Sequence, residues 1–211
     1  MVLQCSGMVA RMNRDDKTID YYNANAGAFT ASTKDVAFES MQQKFLKQIP
    51  EHGRILDFGC GSGRDTKYFL EHGYQTDAID GSEELCKAAS AYTGIAVKHM
   101  YFEELDAVNV YDGIWACASI LHVHKEDLPD IFQRLCNALK EDGTLYVSFK
   151  YGSFQGERNG RYFTDLDEKG LKEVTENIPG LVLTETWITD DARPGRENEK
   201  WLNAFLKRRK R

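Results

Sequence analysis

The sequence predicts a single doubly wound α/β domain, in which a seven-stranded, mostly parallel sheet carries helices on both faces. The first observation is that short apolar segments alternate with amphipathic helical segments between residues 54 and 150, a pattern typical of parallel sheets. The second is that two further strands follow this region in succession, so the last strand is expected to be antiparallel. The third is the length, because 211 residues without a Pro/Gly/Ser-rich linker fit one domain.

The composition is that of an ordinary globular protein. The hydrophobic fraction of 42% and the charged fraction of 28% argue against disorder and against a membrane span. A net charge of -6 disfavours broad electrostatic binding of nucleic acid. The five cysteines contain no C-x-x-C pair, which predicts free thiols in a reducing, cytoplasmic compartment. No metal site is predicted, because no acid or thiol completes a ligand spacing around His122 and His124.

The elements before the first strand are helical. Residues 1–14 have no apolar stretch long enough for a signal peptide and are expected to form a flexible arm. Apolar residues then recur at helical spacing in 15–30 and again in 36–49. Pro50 and Gly53 end the second helix, and the apolar run at 54–58 predicts the first buried strand.

The remaining elements follow from the same patterns. They are a helix at 64–71, a strand at 74–79, a helix at 83–92, strands at 95–100 and 113–117, a helix at 125–139, a strand at 144–150, a loop at 151–163, a further helix, and antiparallel strands at 181–189 and 200–207. Gly73, Gly94 and Gly143 are expected to be left-handed C-caps. Thr164, with Asp167 three residues later, is expected to cap the last helix.

A glycine-rich turn between the first strand and the following helix carries the most information. Glycines at 59, 61 and 63 let the backbone approach a ligand and present amide groups at a helix N-terminus. A dinucleotide fingerprint reads G-x-G-x-x-G, whereas this turn reads G-x-G-x-G and follows Asp57. A carboxylate there would repel a pyrophosphate and attract a cationic group. An NAD-dependent oxidoreductase is therefore the less favoured interpretation.

This strand and turn resemble the first motif of the class I S-adenosylmethionine-dependent methyltransferases, and the resemblance extends from about residue 21 to about 205. It implies a Rossmann-like sheet, S-adenosyl-L-methionine as cofactor and S-adenosyl-L-homocysteine as product. It also implies that Asp57 and the turn hold the methionine part of the cofactor. The candidate cofactor-binding residues up to the start of the following helix are Tyr22, Asp57, Gly59, Cys60, Gly61, Gly63 and Arg64.

The second and third strands end in further candidate cofactor residues. Asp80, followed by Gly81 and Ser82, lies about 20 residues beyond the glycine turn, where a carboxylate can accept hydrogen bonds from a ribose diol. The alternative is that Asp80 only caps the next helix. By resemblance, Tyr101 stands where the family often has an adenine-binding Asp. Phe102 can still offer a backbone N–H and a ring face to adenine.

The fourth strand is expected to bring the methyl acceptor close to the cofactor. Resemblance puts the backbone of Ala116 and Cys117 beside the methionine end, with Cys117 as a small filler rather than a nucleophile. His122 is the candidate general base, since its ordinary pKa lies near neutrality. The alternative is that His122 is a hydrogen-bonded residue at the start of the following helix.

The acceptor wall is expected to come from the first helix and from the loop after the fifth strand. Its candidates are Tyr21, Tyr151, Arg158, Arg161 and Tyr162, with Arg161 as the first choice for binding a carboxylate or phosphate of the acceptor. The sequence also resembles the tellurite-resistance-like branch of small methyltransferases. This implies a small or metalloid acceptor, and no membrane partner is expected.

The domain prediction divides one methyltransferase domain, 15–207, into a helical lid at 15–49, a cofactor-binding half at 50–150, and a substrate loop with the last strands at 151–207. The basic tail at 208–211 leaves an RNA acceptor open, although a small molecule is favoured. A non-catalytic module that binds the same cofactor is a third hypothesis. The patterns do not predict an oligomeric state.

Overall fold

The computed structural model describes residues 16–193, 195–196 and 198–209, so the predicted arm and the end of the basic tail lie outside the described residues. The helices are α1 (Asp16–Thr33), α2 (Glu39–Leu46), α3 (Arg64–Glu71), α4 (Glu83–Thr93), α5 (Leu128–Ala138) and α6 (Glu168–Thr175). The strands are β1 (Arg54–Phe58), β2 (Gln75–Asp80), β3 (Lys98–His99), β4 (Tyr111–Ala116), β5 (Leu139–Lys150), β6 (Gln155–Arg158), β7 (Arg161–Thr164), β8 (Leu181–Asp190) and β9 (Lys200–Arg208). In this part of the chain, no helix has the length and apolar character needed to cross a membrane.

Seven of these strands form one sheet in the order β3-β2-β1-β4-β5-β9-β8. The first five strands in this order run parallel, and β9 pairs antiparallel with both β5 and β8. The predicted fold class is therefore confirmed: the sheet is mostly parallel, its last strand in chain order is antiparallel, and helices surround it. Successive connections move outward from β1 in one direction and from β4 in the other. The carboxyl ends of β1 and β4 thus flank the topological switch point, where ligands bind in open α/β sheets.

Alternation along the strands builds a separate core on each face of the sheet. In β1, Leu56 and Phe58 pack into a large aliphatic cluster with residues of α5 and α6. Ile55 points the other way, into an aromatic cluster that includes Phe45 and Trp115. Burial of each such side chain stabilises the fold by roughly 1.5–3 kcal/mol. Both faces of the sheet therefore need helices to cover them, which is why β1 reads as a nearly continuous apolar run.

The segment 151–163, predicted as a loop, instead contains a hairpin formed by β6 and β7. Arg158 pairs with Arg161, and the two residues between them are Asn159 and Gly160. Both have positive φ values, 51° and 76°, as a two-residue turn between twisted strands requires. An Asn-Gly pair is a strong hairpin signal, so the sequence did contain the information that corrects this prediction.

Two predicted caps are also wrong. Thr164 ends β7, and its hydroxyl donates to the Val123 carbonyl, whereas Asp167 is the true N-cap of α6 and accepts from the Gly170 N–H at 2.7 Å. Gly143 lies inside β5, and the left-handed residue beside it is Asp142, with φ of 62°.

The third strand is shorter than predicted, because only two residues of 95–100 pair with β2. The Val97 N–H donates instead to the Ser90 hydroxyl on α4 at 2.9 Å. A side chain thus takes the place of a ladder partner at the sheet edge. The other predicted elements differ from the observed ones mainly at their ends.

Candidate functional site

A cavity of about 660 Å³ opens where β1, β2 and β4 end. The residues that follow these strands line its floor, while α1, the β6–β7 hairpin and the connection between β8 and β9 contribute the other walls. The volume is in the range of small-molecule and cofactor sites.

Most of the predicted site residues meet in this cavity. Those that line it are Tyr22, Gly59, Cys60, Gly61, Arg64, Asp80, Gly81, Tyr101, Phe102, Cys117, His122, Tyr151, Arg158 and Arg161. The predicted residues that are not part of its lining are Asp57, Gly63, Ser82, Ala116, Tyr21 and Tyr162. These six lie one layer behind it or at its margin, so a role in binding would be indirect or through the backbone.

The glycine turn is held against two neighbouring segments. The N–H groups of Gly59 and Cys60 donate to the Ile79 carbonyl at 3.0 and 2.9 Å, which ties the turn to β2. Gly59 has a φ of 82°, and a Cβ at this position would lie 2.5 Å from the Cβ of Ser119. Glycine is therefore required here by the protein's own packing as well as by the backbone conformation.

Asp80 presents a carboxylate at the cavity surface with both oxygens already oriented. Its Oδ2 accepts from the Gly61 N–H at 2.9 Å and its Oδ1 from the Ser82 N–H at 2.8 Å. Burial raises the pKa of Asp80, and the two N–H donors oppose this shift. A carboxylate has about four acceptor positions, so two remain for a ligand. The helix cap proposed as an alternative role is supplied by Ser82, whose hydroxyl accepts from Leu85 N–H.

Asp57 lies beneath the turn rather than at the cavity. Its side chain is buried and accepts from the Thr66 hydroxyl at 2.6 Å. Burial and the neighbouring Asp65 carboxylate raise the pKa of Asp57. Its carboxylate can thus act on a ligand through space, without direct contact.

Asp65, which the sequence analysis did not single out, lines the cavity. Its carboxylate accepts two bonds from Arg64, at 2.8 and 2.9 Å, and one each from the Trp115 indole and the Gln42 amide, at 2.8 and 2.6 Å. Burial alone would raise the pKa of Asp65, but Arg64 and the other donors hold it below its ordinary value. A fixed ion pair of Arg64 and Asp65 therefore borders the cavity. The available signal was the adjacent Arg–Asp pair that opens α3.

An aromatic platform lies at the end of β3. The ring of Phe102 stacks on Phe58 with centroids 4.5 Å apart, and Tyr101 borders Gly81. Both Tyr101 and Phe102 line the cavity, and a flat, apolar surface of this kind suits a heteroaromatic ring.

The end of β4 supplies small, uncharged groups. Ala116 is fully buried in the sheet, whereas Cys117 reaches the cavity. Burial, together with the Asp65 carboxylate, raises the pKa of Cys117 to about 12. The thiol is therefore protonated at neutral pH and is a poor nucleophile.

His122 has hydrogen bonds at both ring nitrogens. Its Nδ1 lies 2.6 Å from the Tyr162 carbonyl oxygen, and its Nε2 lies 2.9 Å from the Tyr22 hydroxyl. A carbonyl only accepts, so the proton is on Nδ1, and Nε2 accepts from the phenol. Arg161 Nη1 donates to the same hydroxyl at 3.3 Å. Burial raises the pKa of Tyr22, and Arg161 opposes this shift. His122 thus lines the cavity with its Nε2 already occupied by the Tyr22 hydroxyl.

The predicted acceptor residues separate into two groups. Arg158 and Arg161 line the cavity, and Tyr151 lies at its rim with its hydroxyl 3.2 Å from Glu168. By contrast, the Tyr162 ring stacks on His124, and the Tyr21 ring packs on the Arg161 guanidinium. These two rings support the wall from behind.

The connection between β8 and β9 contributes charged residues that are not among the acceptor candidates predicted from the sequence. The cavity residues from this segment and from the end of β5 form ion pairs: Lys150 with Glu199, Arg193 with Asp191, and Arg196 with Glu199. The signal in the sequence was the density of charge between residues 190 and 200. Only the folded chain places it over the cavity.

Comparison with known proteins agrees with this geometry. Residues 55–143 match a family described as methyltransferase domain. An uncharacterised methyltransferase from Staphylococcus carnosus is 26% identical over 126 residues, which cover 60% of this chain and 61% of that protein. A 2-heptyl-1-hydroxyquinolin-4(1H)-one methyltransferase from Mycobacteroides abscessus is 23% identical over 159 residues, which cover 72% of this chain and 66% of that protein. This chain spans less than two thirds of the length of the first curated relatives it matches.

A solved structure shows the same fold. It is the 1,6-didemethyltoxoflavin-N1-methyltransferase of Burkholderia thailandensis, with bound 1,6-didemethyltoxoflavin and S-adenosylhomocysteine. The TM-score is 0.73 at 18% identity, and the match covers 92% of this chain and 88% of that one. Residues 55–143 are thus similar to a methyltransferase domain, and the described chain has the same fold as this methyltransferase structure.

Proposed function

We propose that this protein transfers the methyl group of S-adenosylmethionine to a small-molecule acceptor. The observation that carries the proposal is one continuous cavity, which holds the Asp80 carboxylate and the glycine turn together with the hydrogen-bonded Tyr22 and His122. Asp80 and the glycine turn suit a nucleoside, whereas Tyr22 and His122 suit an acceptor that must lose a proton.

The cavity residues fit the cofactor. The two open acceptor positions of Asp80 suit a ribose diol, and Phe102 with Tyr101 would face the adenine. The glycine turn and Cys117 would border the methionine part. Asp80, which forms no ion pair with the cavity cations in the described part of the chain, favours a cationic ligand over a neutral one when it is ionised, and Asp57 adds to this effect once it loses its proton. A pyrophosphate, which an NAD-dependent oxidoreductase must bind, would meet the same negative charges.

A small acceptor is favoured over RNA because the cavity has walls on several sides. Helix α1 and the β6–β7 hairpin lie over the carboxyl edge of the sheet, and the Tyr162 N–H donates to the Thr18 hydroxyl at 2.9 Å between them. The solved relative with bound 1,6-didemethyltoxoflavin acts on a molecule of this size class. The tellurite-resistance-like branch stays a prediction, since none of the three relatives described above carries that name.

The cofactor supplies a methyl group on a cationic sulfur, which leaves as a neutral thioether. The main work of the protein is then to align the acceptor atom with the S–CH₃ bond and to exclude water. A hydroxyl acceptor must also release a proton as its oxygen bonds to the methyl group. The Tyr22 hydroxyl can take this proton while it passes its own to His122 Nε2, which keeps the charge balanced.

Calorimetric titration with S-adenosylhomocysteine tests the cofactor site. Asp80→Asn is expected to weaken binding about tenfold to a hundredfold, because a charged hydrogen-bond acceptor contributes about 1.5–3 kcal/mol. The matched control is Asp77→Asn, on the same strand, whose exposed side chain pairs with Arg54. Its dissociation constant should equal that of the parent protein. Circular dichroism of both variants checks that they are folded.

Three outcomes contradict the proposal. NAD could bind more tightly than S-adenosylhomocysteine. A folded Asp80→Asn protein could keep the parent affinity. Finally, the parent protein could bind the cofactor yet form no S-adenosylhomocysteine with any member of a broad panel of hydroxyl, amine and thiol acceptors. The last outcome would favour a non-catalytic binding module.

A further inference from the structure

The cations around the cavity are neutralised by nearby acids, with one exception among the residues that the structure describes. The paired cavity cations are Arg64 with Asp65, Lys150 with Glu199, Arg158 with Asp165, Arg193 with Asp191, Arg196 with Glu199, and Lys200 with Asp190. Arg161 lines the same cavity and forms no ion pair within this part of the chain.

The surroundings of Arg161 are aromatic. Its guanidinium lies 4.5 Å from the ring centroid of Tyr21 and 5.2 Å from that of Phe163. Its Nη1 donates to the Tyr22 hydroxyl, and its Nε is buried without a hydrogen-bond partner. Ring faces attract a cation but do not neutralise its charge, and a guanidinium has five N–H donors to place. Arg161 therefore carries unused donors and an uncompensated positive charge into the cavity.

The order of contacts separates Arg161 from the glycine turn. A Cβ at Gly61 would lie 3.0 Å from the Phe29 ring, and that ring packs against Tyr22 at 5.2 Å. Tyr22 in turn contacts Arg161 and His122. Two aromatic residues thus stand between the turn and the guanidinium. Arg161 belongs to the end of the cavity that Tyr22 and His122 border, which is the acceptor end under the proposed function.

We propose that Arg161 binds a carboxylate of the methyl acceptor, so that the substrate class is a small hydroxy acid with an apolar or aromatic body. The planar fork of a guanidinium matches a carboxylate in two parallel hydrogen bonds. The rings of Phe29 and Phe163, which line the cavity, suit an apolar body. This inference rests on the proposed function and names the substrate class of the same site.

The same arrangement positions the reacting group. With its carboxylate on Arg161, the acceptor places a neighbouring hydroxyl near the Tyr22 phenol. The hydroxyl oxygen forms a bond to the methyl carbon, the S–C bond breaks with its electron pair on sulfur, and the proton passes through Tyr22 to His122. Tyr22 is then a catalytic residue, and His122 acts through it.

The test uses protein saturated with S-adenosylhomocysteine and three probes, acetate, benzoate and salicylate, each titrated at millimolar concentrations and followed by ligand-observed NMR. Arg161→Gln is expected to weaken the tightest-binding carboxylate about tenfold to a hundredfold. Arg161→Lys should lose less affinity for the carboxylate, because lysine keeps the positive charge but lacks the planar, two-pronged set of N–H donors. Arg196→Gln, which removes a cavity arginine that is paired with Glu199, is the matched control and should change the affinity less than twofold. Salicylamide, the uncharged analogue of salicylate, should bind the parent and Arg161→Gln equally.

A second experiment distinguishes the two carboxylates that Arg161 could bind, that of the acceptor and that of the cofactor. S-adenosylhomocysteine carries its own carboxylate, whereas 5′-methylthioadenosine has none. If Arg161→Gln weakens the first and leaves the second unchanged, Arg161 serves the cofactor, and the proposal is overturned. It is also overturned if none of the three carboxylates binds the parent protein, or if Arg196→Gln has the same effect as Arg161→Gln. If S-adenosylhomocysteine itself fails to bind, the proposed function fails, and the carboxylate titration of the ligand-free protein still reports on Arg161.

Discussion

Gly59 occupies a position from which a side chain is excluded twice, by its φ of 82° and by the Cβ of Ser119. Gly94 has nearly the same φ, 81°, but its missing Cβ would point into open space. The two glycines therefore separate the conformational penalty from the steric one.

Gly59→Ala is expected to destabilise the protein more than Gly94→Ala. The left-handed conformation alone costs about 1–2 kcal/mol for alanine, and overpacking adds roughly 1–3 kcal/mol at Gly59. Urea unfolding, followed by tryptophan fluorescence, gives the two free energies. Equal losses in both variants would show that the contact with Ser119 relaxes freely. S-adenosylhomocysteine affinity should fall only in Gly59→Ala, because only that turn borders the cavity.

At the scale of single residues, the sequence predicted positions better than directions. Asp57 and Asp80 both lie near the ends of strands, and the sequence predicted that both lie at the same edge of the sheet. Only Asp80 faces the cavity, because the side chain of Asp57 turns down toward Thr66. Motif spacing predicts the position of the backbone. The rotamer of the side chain and the residues around it then determine which groups the side chain contacts. The partnership of Asp65 with Trp115, 50 positions away, depends on packing that no local pattern encodes.

At the scale of elements, the β6–β7 hairpin is joined to α1 by a buried contact. Thr18 is 3% exposed, and its hydroxyl accepts from the Tyr162 N–H, whose own carbonyl holds His122. A change at this hydroxyl should therefore reach the candidate site without touching it directly.

Thr18→Val is expected to leave the Tyr162 N–H without its acceptor, at a cost of about 1–3 kcal/mol. Hydrogen exchange at the Tyr162 amide should accelerate, because the hairpin then opens more often. Thr30→Val is the matched control on the same helix, since the Thr30 hydroxyl is buried without a hydrogen-bond partner. That variant should exchange at the parent rate and be equally or more stable. Acceleration in both variants would mean that packing of α1, rather than this hydrogen bond, holds the hairpin.

The hairpin also shows where prediction by elements failed. Its strands have four residues each, too short for a clear period of two, and Gly156 interrupts the first of them. The central elements were predicted in the right order, and several of them, such as β1 and α3, were predicted with the observed bounds, whereas β5 begins five residues before its predicted start. Prediction of such short strands depends on the residues of the turn between them, here Asn159 and Gly160, more than on the hydrophobic pattern.

At the scale of the whole molecule, the carboxylates near the switch point form one electrostatic unit. Burial raises the pKa values of Asp57 and Asp80. A cation bound nearby favours their ionised forms, so binding releases protons and tightens as the pH rises through those raised pKa values. The sheet topology creates this unit, because it brings the ends of β1 and β2 together.

The affinity for S-adenosylmethionine relative to S-adenosylhomocysteine is therefore expected to increase as the pH rises toward the raised pKa of Asp57, about 8, by at most about tenfold per pH unit for this group. Only the first ligand has a sulfonium charge, while the α-amino group is common to both and cancels in the ratio. Calorimetry in two buffers of different ionisation enthalpy measures the affinities and the protons released. Asp57→Asn should flatten the profile. A constant ratio in the parent protein would mean that the carboxylates do not respond to the sulfonium.

The position of β9 has a consequence for how this protein is made. In order of synthesis β9 follows β8, yet in the sheet it lies between β5 and β8, and among the strands of the described residues β8 pairs with β9 alone. A nascent chain on the ribosome that has not reached Lys200 therefore has an open edge on β5 and an unattached β8. It also lacks Trp201 and Asn203, which line the cavity. The cavity is therefore complete only after this late segment has been synthesised.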